Sequence, residues 1–63
     1  TTEGKKLLIE AIAREPDYVR ARIDLSKIYI LEHNLPDAKE QLLSAQHLDP
    51  MNPEITHALA SIK

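Results

Sequence analysis

The sequence predicts an all-α fold of antiparallel helices joined by short corners. Apolar residues recur at spacings of three and four, which is the helical period, and no segment alternates as a strand would. Glycine occurs once, and the four prolines stand at positions 16, 36, 50 and 53. Proline is excluded from helix interiors but tolerated in a first turn, so these positions mark where helices end and begin. Four helical segments follow from this pattern.

The first helix is predicted to run from Glu3 to about residue 15. It stops there because the ring of Pro16 disfavours the helical conformation of the residue before it. Its apolar side chains gather on one side: Leu8, Ala11 and Ile12, with Leu7 and Ile9 beside them.

The second helix is predicted to begin after Asp17, a residue type that caps helix N-termini, and to reach about His33. It has two apolar faces. The broad face carries Tyr18, Ala21, Leu25, Ile28 and Tyr29, and the narrow face carries Val19, Ile23 and Ile30. A helix with two apolar faces is expected to contact other parts of a protein on both.

The third helix is predicted to begin at the second corner. Asn34 suits the left-handed conformation that ends a helix, and Pro36 with Asp37 then suits a first turn. This helix is expected to bury Leu35, Ala38, Leu42, Ala45 and Leu48.

The fourth helix is predicted to begin after the third corner. Asn52 is the expected cap, with Pro53 at the first helical position and Glu54 next. The apolar face of this helix carries Ile55, Ala58, Leu59 and Ile62.

Composition limits the classes of function. A chain of 63 residues is one small domain that buries only roughly 60% of its unfolded surface, and without cysteine it has neither disulfides nor thiolate metal sites. A net charge of −2 and a pI near 5.8 argue against nucleic-acid binding. No apolar run approaches the ~18 residues of a membrane span, so we expect a soluble chain without membrane insertion. The absence of a starting Met and of a signal-peptide pattern suggests a fragment or processed product and leaves the localisation undetermined.

The chain repeats itself after 34 residues, the distance between Pro16 and Pro50. Sliding the sequence by this distance aligns identical residues: Lys5 with Lys39, Leu8 with Leu42, Ala11 with Ala45, and Leu25 with Leu59. It also aligns small residues with small ones, as in Gly4 with Ala38 and Ser26 with Ala60. Small residues at helix crossings let helix axes approach closely, so their recurrence indicates a repeated crossing.

Residues 19–52 resemble one whole tetratricopeptide repeat, a helix-turn-helix unit of 34 residues. The family pattern is a large aromatic, Leu-Gly, Tyr, a small residue, a bulky apolar residue, Ala and Pro. The corresponding row here is Arg22, Leu25, Ser26, Tyr29, Ala38, Leu42, Ala45 and Pro50. Arg22 stands where Trp is typical, and Ser26 where Gly is typical.

The resemblance implies a single domain, residues 1–63, folded as a short right-handed solenoid of antiparallel helix-turn-helix repeats. Residues 3–15 would be the second helix of a preceding repeat, residues 18–50 a full repeat, and residues 53–63 the first helix of a following or capping repeat.

By the same resemblance, we expect a protein-interaction scaffold that binds a partner protein or peptide through its concave helix face. The residues expected in this groove are Arg20, Ile23, Lys27, Ile30, Glu54, His57 and Ser61. Such a groove would suit an amphipathic or an acidic-hydrophobic peptide. The alternative for Val19, Ile23 and Ile30 is ordinary packing against a missing repeat, and the sequence leaves both interpretations open.

Two other interaction modes can be weighed from the sequence. Solenoids of this kind usually contain three or more repeats, so the alternative function is self-assembly, in which open end faces stack on copies of the same chain. Chaperone-binding relatives hold a C-terminal carboxylate with Lys, Asn and Arg side chains. The positions that would supply them carry Ile23, Asp24, Lys27 and Ser61. Only Lys27 is basic, so this binding mode is disfavoured.

No catalytic, cofactor or metal site is predicted. His33, His47 and His57 lie on three different segments without the spacing of metal ligands. The carboxylates of Asp17, Asp37, Asp49 and Glu54 stand at predicted helix ends, where capping and the helix dipole explain them. No serine lies in a nucleophile elbow, and no glycine-rich phosphate loop occurs. We therefore expect a non-enzymatic protein.

Overall fold

The computed structural model describes residues 2–62, and within them the chain forms four α-helices and no strand. The helices are α1 (Thr2–Arg14), α2 (Val19–Leu31), α3 (Leu35–Leu48) and α4 (Pro53–Ser61). The all-α prediction is confirmed. The predicted end of the fourth segment, Lys63, lies outside the described residues. None of the helices in residues 2–62 is long and apolar enough to cross a membrane.

Helix α2 is the centre of the fold, because it packs most extensively on α3 and also contacts α1, while α4 packs on α3. The core cluster is made of four fully buried residues from three helices: Ile23, Leu42, Ala45 and Ile55. Four partly buried apolar residues pack against it: Val19, Ala58, Leu59 and Ile62. Both predicted apolar faces of α2 are therefore covered in part, since Ala21 and Leu25 on the broad face are also buried.

The small residues of the repeat pattern lie where the helices cross. Ala38, Ala45 and Ser26 are fully buried. The Ser26 hydroxyl donates to the Ile23 carbonyl oxygen at 2.6 Å, so its burial leaves no polar group unpaired. A larger side chain at any of these positions would separate the helix axes.

Helix α1 is held on α2 partly by a polar contact. The Lys5 ammonium donates to Glu32 Oε1 at 2.9 Å and lies 4.9 Å from the centroid of the Tyr29 ring. This hydrogen bond raises the pKa of Lys5. The contact ties the preceding helix to the far end of α2.

Helix α2 ends two residues before the predicted His33, and His33 itself, not Asn34, adopts the left-handed conformation, with φ of 60°. The Asn34 amide donates to the Tyr29 carbonyl at 2.8 Å and the His33 amide to the Ile30 carbonyl at 3.0 Å, which together form a Schellman motif. Only three residues separate α2 from α3, and Asn34 serves as the N-cap residue of α3 with φ of −95°. The left-handed conformation therefore falls on His33, the residue before Asn34.

The corners before α2 and α4 differ although their prolines are 34 residues apart. Asn52 caps α4 as predicted, its side-chain oxygen accepting from the Glu54 amide at 2.9 Å. The prediction for Asp17 is wrong, because α2 begins one residue later than expected and the cap position falls on Tyr18, whose side chain makes no capping bond. Position 18 is the equivalent of position 52, so of these two corners only the one before α4 has a capping side chain.

Four residues assigned to the apolar sides of helices are exposed. Leu7 is 62% exposed and Ile9 is 45% exposed on α1. Leu48 is 38% exposed and Tyr18 is 46% exposed. Both lie next to a corner, where no other helix covers them. Residues in the middle of α3 follow the predicted burial, because Ala38, Leu42 and Ala45 are fully buried.

Candidate functional site

The charged residues predicted for the groove meet across α2 and α4. Arg20 donates to Glu54 through two parallel hydrogen bonds, of 3.0 Å to Oε2 and 3.1 Å to Oε1. The Lys27 ammonium lies 3.0 Å from Glu54 Oε2. One carboxylate thus bridges two cations that are seven residues, or about two helical turns, apart on α2. We call Arg20, Lys27 and Glu54 the ion triad.

The position of the triad follows from the local sequence. Arg20 and Lys27 lie on the same side of α2, and Glu54 is the second residue of α4. The cap by Asn52 fixes the start of α4 and hence the direction in which Glu54 points. A carboxylate in the first turn is also favoured by the helix dipole.

Electrostatics in the triad favour the ionised carboxylate. Hydrogen bonds from Arg20 and then Lys27 lower the pKa of Glu54 from its ordinary 4.5 to about 2. The same contact raises the pKa of Arg20. Asp24, one turn after Arg20, lies 3.8 Å from its guanidinium. Two cations and two carboxylates meet here, so the formal charge of the group is zero.

Ile23 does not belong to the accessible surface. It is 0% exposed and contributes to the core with Leu42, Ala45 and Ile55. Ile23 is therefore packed in the core, against α3 and α4 of the same chain and not against a missing repeat. Ile30, one turn beyond Lys27, is half-buried and keeps part of its side chain accessible.

His57 and Ser61 follow Glu54 on the same side of α4, at spacings of three and seven residues, and both are exposed. The Ser61 hydroxyl donates to the Ala58 carbonyl at 2.7 Å. We define the α2/α4 surface as the accessible part of the predicted groove: Arg20, Lys27, Ile30, Glu54, His57 and Ser61. Its role in binding remains a prediction.

A cleft that the sequence did not predict lies elsewhere on the molecule. This cleft, of about 430 Å³, lies between the corner after α1 and the last turns of α3. It is lined by Pro16, Asp17, Arg22, Leu43, Ser44, His47 and Leu48. Arg22 donates from Nε to the Pro16 carbonyl at 2.9 Å and from a terminal nitrogen to Gln41 Oε1 at 2.9 Å. The signal in the sequence was Arg22 itself, at a position where a large aromatic ring is typical.

No metal site arises from the described part of the chain. Within residues 2–62 no three or more His, Cys, Asp or Glu side chains are grouped so that they could hold a metal ion.

Comparison with known proteins gives one match. The family model described as "Tetratricopeptide repeat" matches residues 1–62. No curated protein and no solved structure matches the chain. Repeats of this family are generally protein–protein interaction modules, and the family is typically a non-enzymatic scaffold.

Proposed function

Because the chain belongs to the tetratricopeptide repeat family, we propose that it binds a partner protein or peptide through the α2/α4 surface. The observation that carries the proposal is the bridge from Glu54 to Arg20 and Lys27. It joins equivalent helices of two successive repeats into one surface on which charged groups stay partly exposed. A surface of this kind orients a ligand through its charges.

The accessible part of Ile30 supplies an apolar anchor beside the triad. Amphipathic peptides use such anchors for affinity and their polar side for orientation. The exposed His57 and Ser61 add polar groups along α4. We therefore propose an amphipathic peptide segment as the ligand.

The charge balance argues against an acidic ligand. Both cations already contact Glu54, so an acidic group would have to displace that carboxylate before it could pair with them. Displacement would leave Glu54 without its partners, which opposes binding. The ligand we propose contacts the triad without breaking it.

A peptide selection tests this function. A random peptide library displayed on phage is selected against the immobilised chain, and enriched peptides are then titrated against the wild type and two variants. Ile30→Asp should weaken binding about tenfold or more, because it removes the anchor. Leu43→Asp is the matched control, since Leu43 is an exposed apolar residue on α3 that lines the separate cleft.

Three results would contradict the proposal: no enriched peptide, equal affinity for Ile30→Asp and the wild type, or a larger loss with Leu43→Asp. The last result would assign binding to the cleft at Arg22. Circular dichroism of both variants shows whether the helices persist.

A further inference from the structure

Helix α1 carries the residues of a buried helix face but is only partly covered. In α3 the face formed by Ala38, Leu42 and Ala45 is fully buried. The equivalent residues of α1, 34 positions earlier, are Gly4, Leu8 and Ala11, and all three are half-buried. Leu7, the equivalent of Gln41, is 62% exposed. The side of α1 that corresponds to the α2-facing side of α3 is thus apolar and accessible.

Helix α4 also has a face that is only partly covered. In α2, Leu25 and Ser26 are buried. Their equivalents in α4 are Leu59, which is half-buried, and Ala60, which is exposed. The side of α4 that corresponds to the α3-facing side of α2 is therefore only partly covered, with Ala60 exposed.

We propose that α4 of one copy and α1 of a second copy pair in the way that α2 and α3 pair within the chain. The chain carries both halves of a repeat at opposite ends, and its own α2–α3 contact is the template for the contact between copies. Residue types are retained at the equivalent positions, including Leu8 for Leu42 and Leu59 for Leu25. The α1 face of one copy is thus the proposed partner of the α4 face of a second copy.

One pair of equivalent positions carries different residues, and the difference favours association between copies. Within the chain, Arg22 of α2 donates to Gln41 of α3. At the equivalent positions α4 carries Thr56 and α1 carries Leu7. A threonine methyl against a leucine replaces the polar pair, so the contact between copies would bury apolar surface without desolvating a guanidinium.

Charge complementarity supports the same register. Arg20 and Glu54 occupy equivalent positions one repeat apart, since their separation is 34 residues. In the stack, the second copy's α2 follows the first copy's α4, so the second copy's Arg20 comes beside Glu54 of the first. Arg20 and Glu54 then alternate along the stack, so neither charge comes beside its like at the equivalent position of a neighbouring repeat.

The proposed contact joins two different faces, so it does not close upon forming a dimer. Copies add head to tail, and the weight-average mass should keep rising with concentration. A contact between two identical faces would instead stop at the dimer.

Sedimentation equilibrium of the 63-residue chain, with single-face variants, tests the proposal. Leu7→Glu blocks the α1 face and Ala60→Glu blocks the α4 face. Each should weaken association about tenfold to a hundredfold, the loss expected from one large apolar contact. Ile9→Glu is the matched control on α1. Ile9 is 45% exposed and its equivalent Leu43 is 47% exposed within the full repeat, so this position stays accessible even in a stacked helix.

Mixing the two blocked variants sharpens the test. Leu7→Glu retains its α4 face and Ala60→Glu retains its α1 face, so an equal mixture should form a heterodimer and nothing larger. If Ala60→Glu loses helical signal in circular dichroism, Thr56→Glu takes its place on the exposed side of α4.

A wild-type chain that remains monomeric throughout would overturn the proposal and assign the open faces to other segments or partners. Growth that stops at a dimer, or equal losses with Ile9→Glu and Leu7→Glu, would also overturn it. None of these outcomes bears on peptide binding by the α2/α4 surface, which is measured separately.

Discussion

The contact of α2 with α3 and the contact of α2 with α4 use different chemistry. Between α2 and α3, buried small and aliphatic residues such as Ser26, Ala38 and Leu42 lie beside a hydrogen bond from Arg22 to a neutral acceptor. Between α2 and α4, the core residues Ile23 and Ile55 lie beneath the exposed ion triad. The contact of α2 with α3 depends on shape, and the contact of α2 with α4 combines buried apolar residues with surface charge.

Two arginines separated by one residue illustrate the difference. Arg20 pairs with two carboxylates, whereas Arg22 donates to a carbonyl and an amide oxygen. The two side chains leave α2 in different directions, and each matches the groups it meets. The same residue type therefore belongs to the proposed binding surface at one position and supports local structure at the other.

Ile23→Asp should have the largest effect, because Ile23 belongs to the core shared by both contacts. An unpaired carboxylate without exposure costs several kcal/mol, which is comparable to the whole stability of roughly 3–9 kcal/mol expected for a chain of this size. Circular dichroism should show loss of the helical signal. Retention of the signal with a normal thermal transition would contradict the burial of Ile23.

Leu42→Ala should come next, with a loss of about 2–5 kcal/mol in the free energy of unfolding, because it leaves a cavity between α2 and α3. Urea titration measures the loss. The neighbouring Leu43→Ala is the control, since its half-exposed side chain should contribute less than about 1 kcal/mol. Similar losses for the two variants would mean that the shape-based contact is not formed as described.

Asn52→Ala should cost about 1 kcal/mol, because Asn52 is the only one of the three N-cap residues of α2, α3 and α4 whose side chain makes a capping bond. Asn34→Ala is the matched control, because Asn34 occupies the N-cap position of α3 without a side-chain capping bond. Thermal unfolding of both variants measures the difference. A larger effect at position 34 would reverse the assignment of the caps.

Glu54→Gln should have the smallest effect on stability, and its signature is pH dependence. The pKa of Glu54 is lowered in the folded state to about 2 from 4.5. The ionised carboxylate therefore contributes its full share of folding stability above about pH 4.5, and this stability is lost as the pH falls toward 2. The difference in Tm between the wild type and Glu54→Gln should therefore be present at neutral pH and disappear near pH 2. It should also shrink with added salt.

Glu40→Gln, which changes an exposed carboxylate on α3, is the control for the pH series. A wild-type curve that parallels the Glu54→Gln curve at every pH would show that the triad does not stabilise the contact between α2 and α4.

Much of the fold could be predicted from local sequence. The start of α4 at Pro53 after Asn52 and the burial of Ala38, Leu42 and Ala45 follow from residue type and spacing alone. The end of α2 could not be predicted in this way, because it depends on how few residues remain before α3. Asn34 suits either the left-handed end of one helix or the N-cap of the next. Because the corner is short, Asn34 takes the N-cap position of α3.

Three residues expected in the groove lie in contact, although the geometry of that contact was not predicted. The sequence brought Arg20, Lys27 and Glu54 together as one set, yet it gave no sign that a single carboxylate bridges both cations. The separation of Arg20 and Glu54 by one full repeat was the missed signal. Ile23 was ambiguous because periodicity identifies an apolar stripe but not which helix covers it.

The left-handed His33 has a consequence for how the chain tolerates change. Residues with a Cβ atom adopt this conformation at a cost of about 1 kcal/mol or more, which glycine avoids. Glycine at position 33 should thus raise the free energy of unfolding. A lineage that acquired glycine there would gain mutational robustness, enough to accept one additional mildly destabilising substitution on its binding surface while still folding.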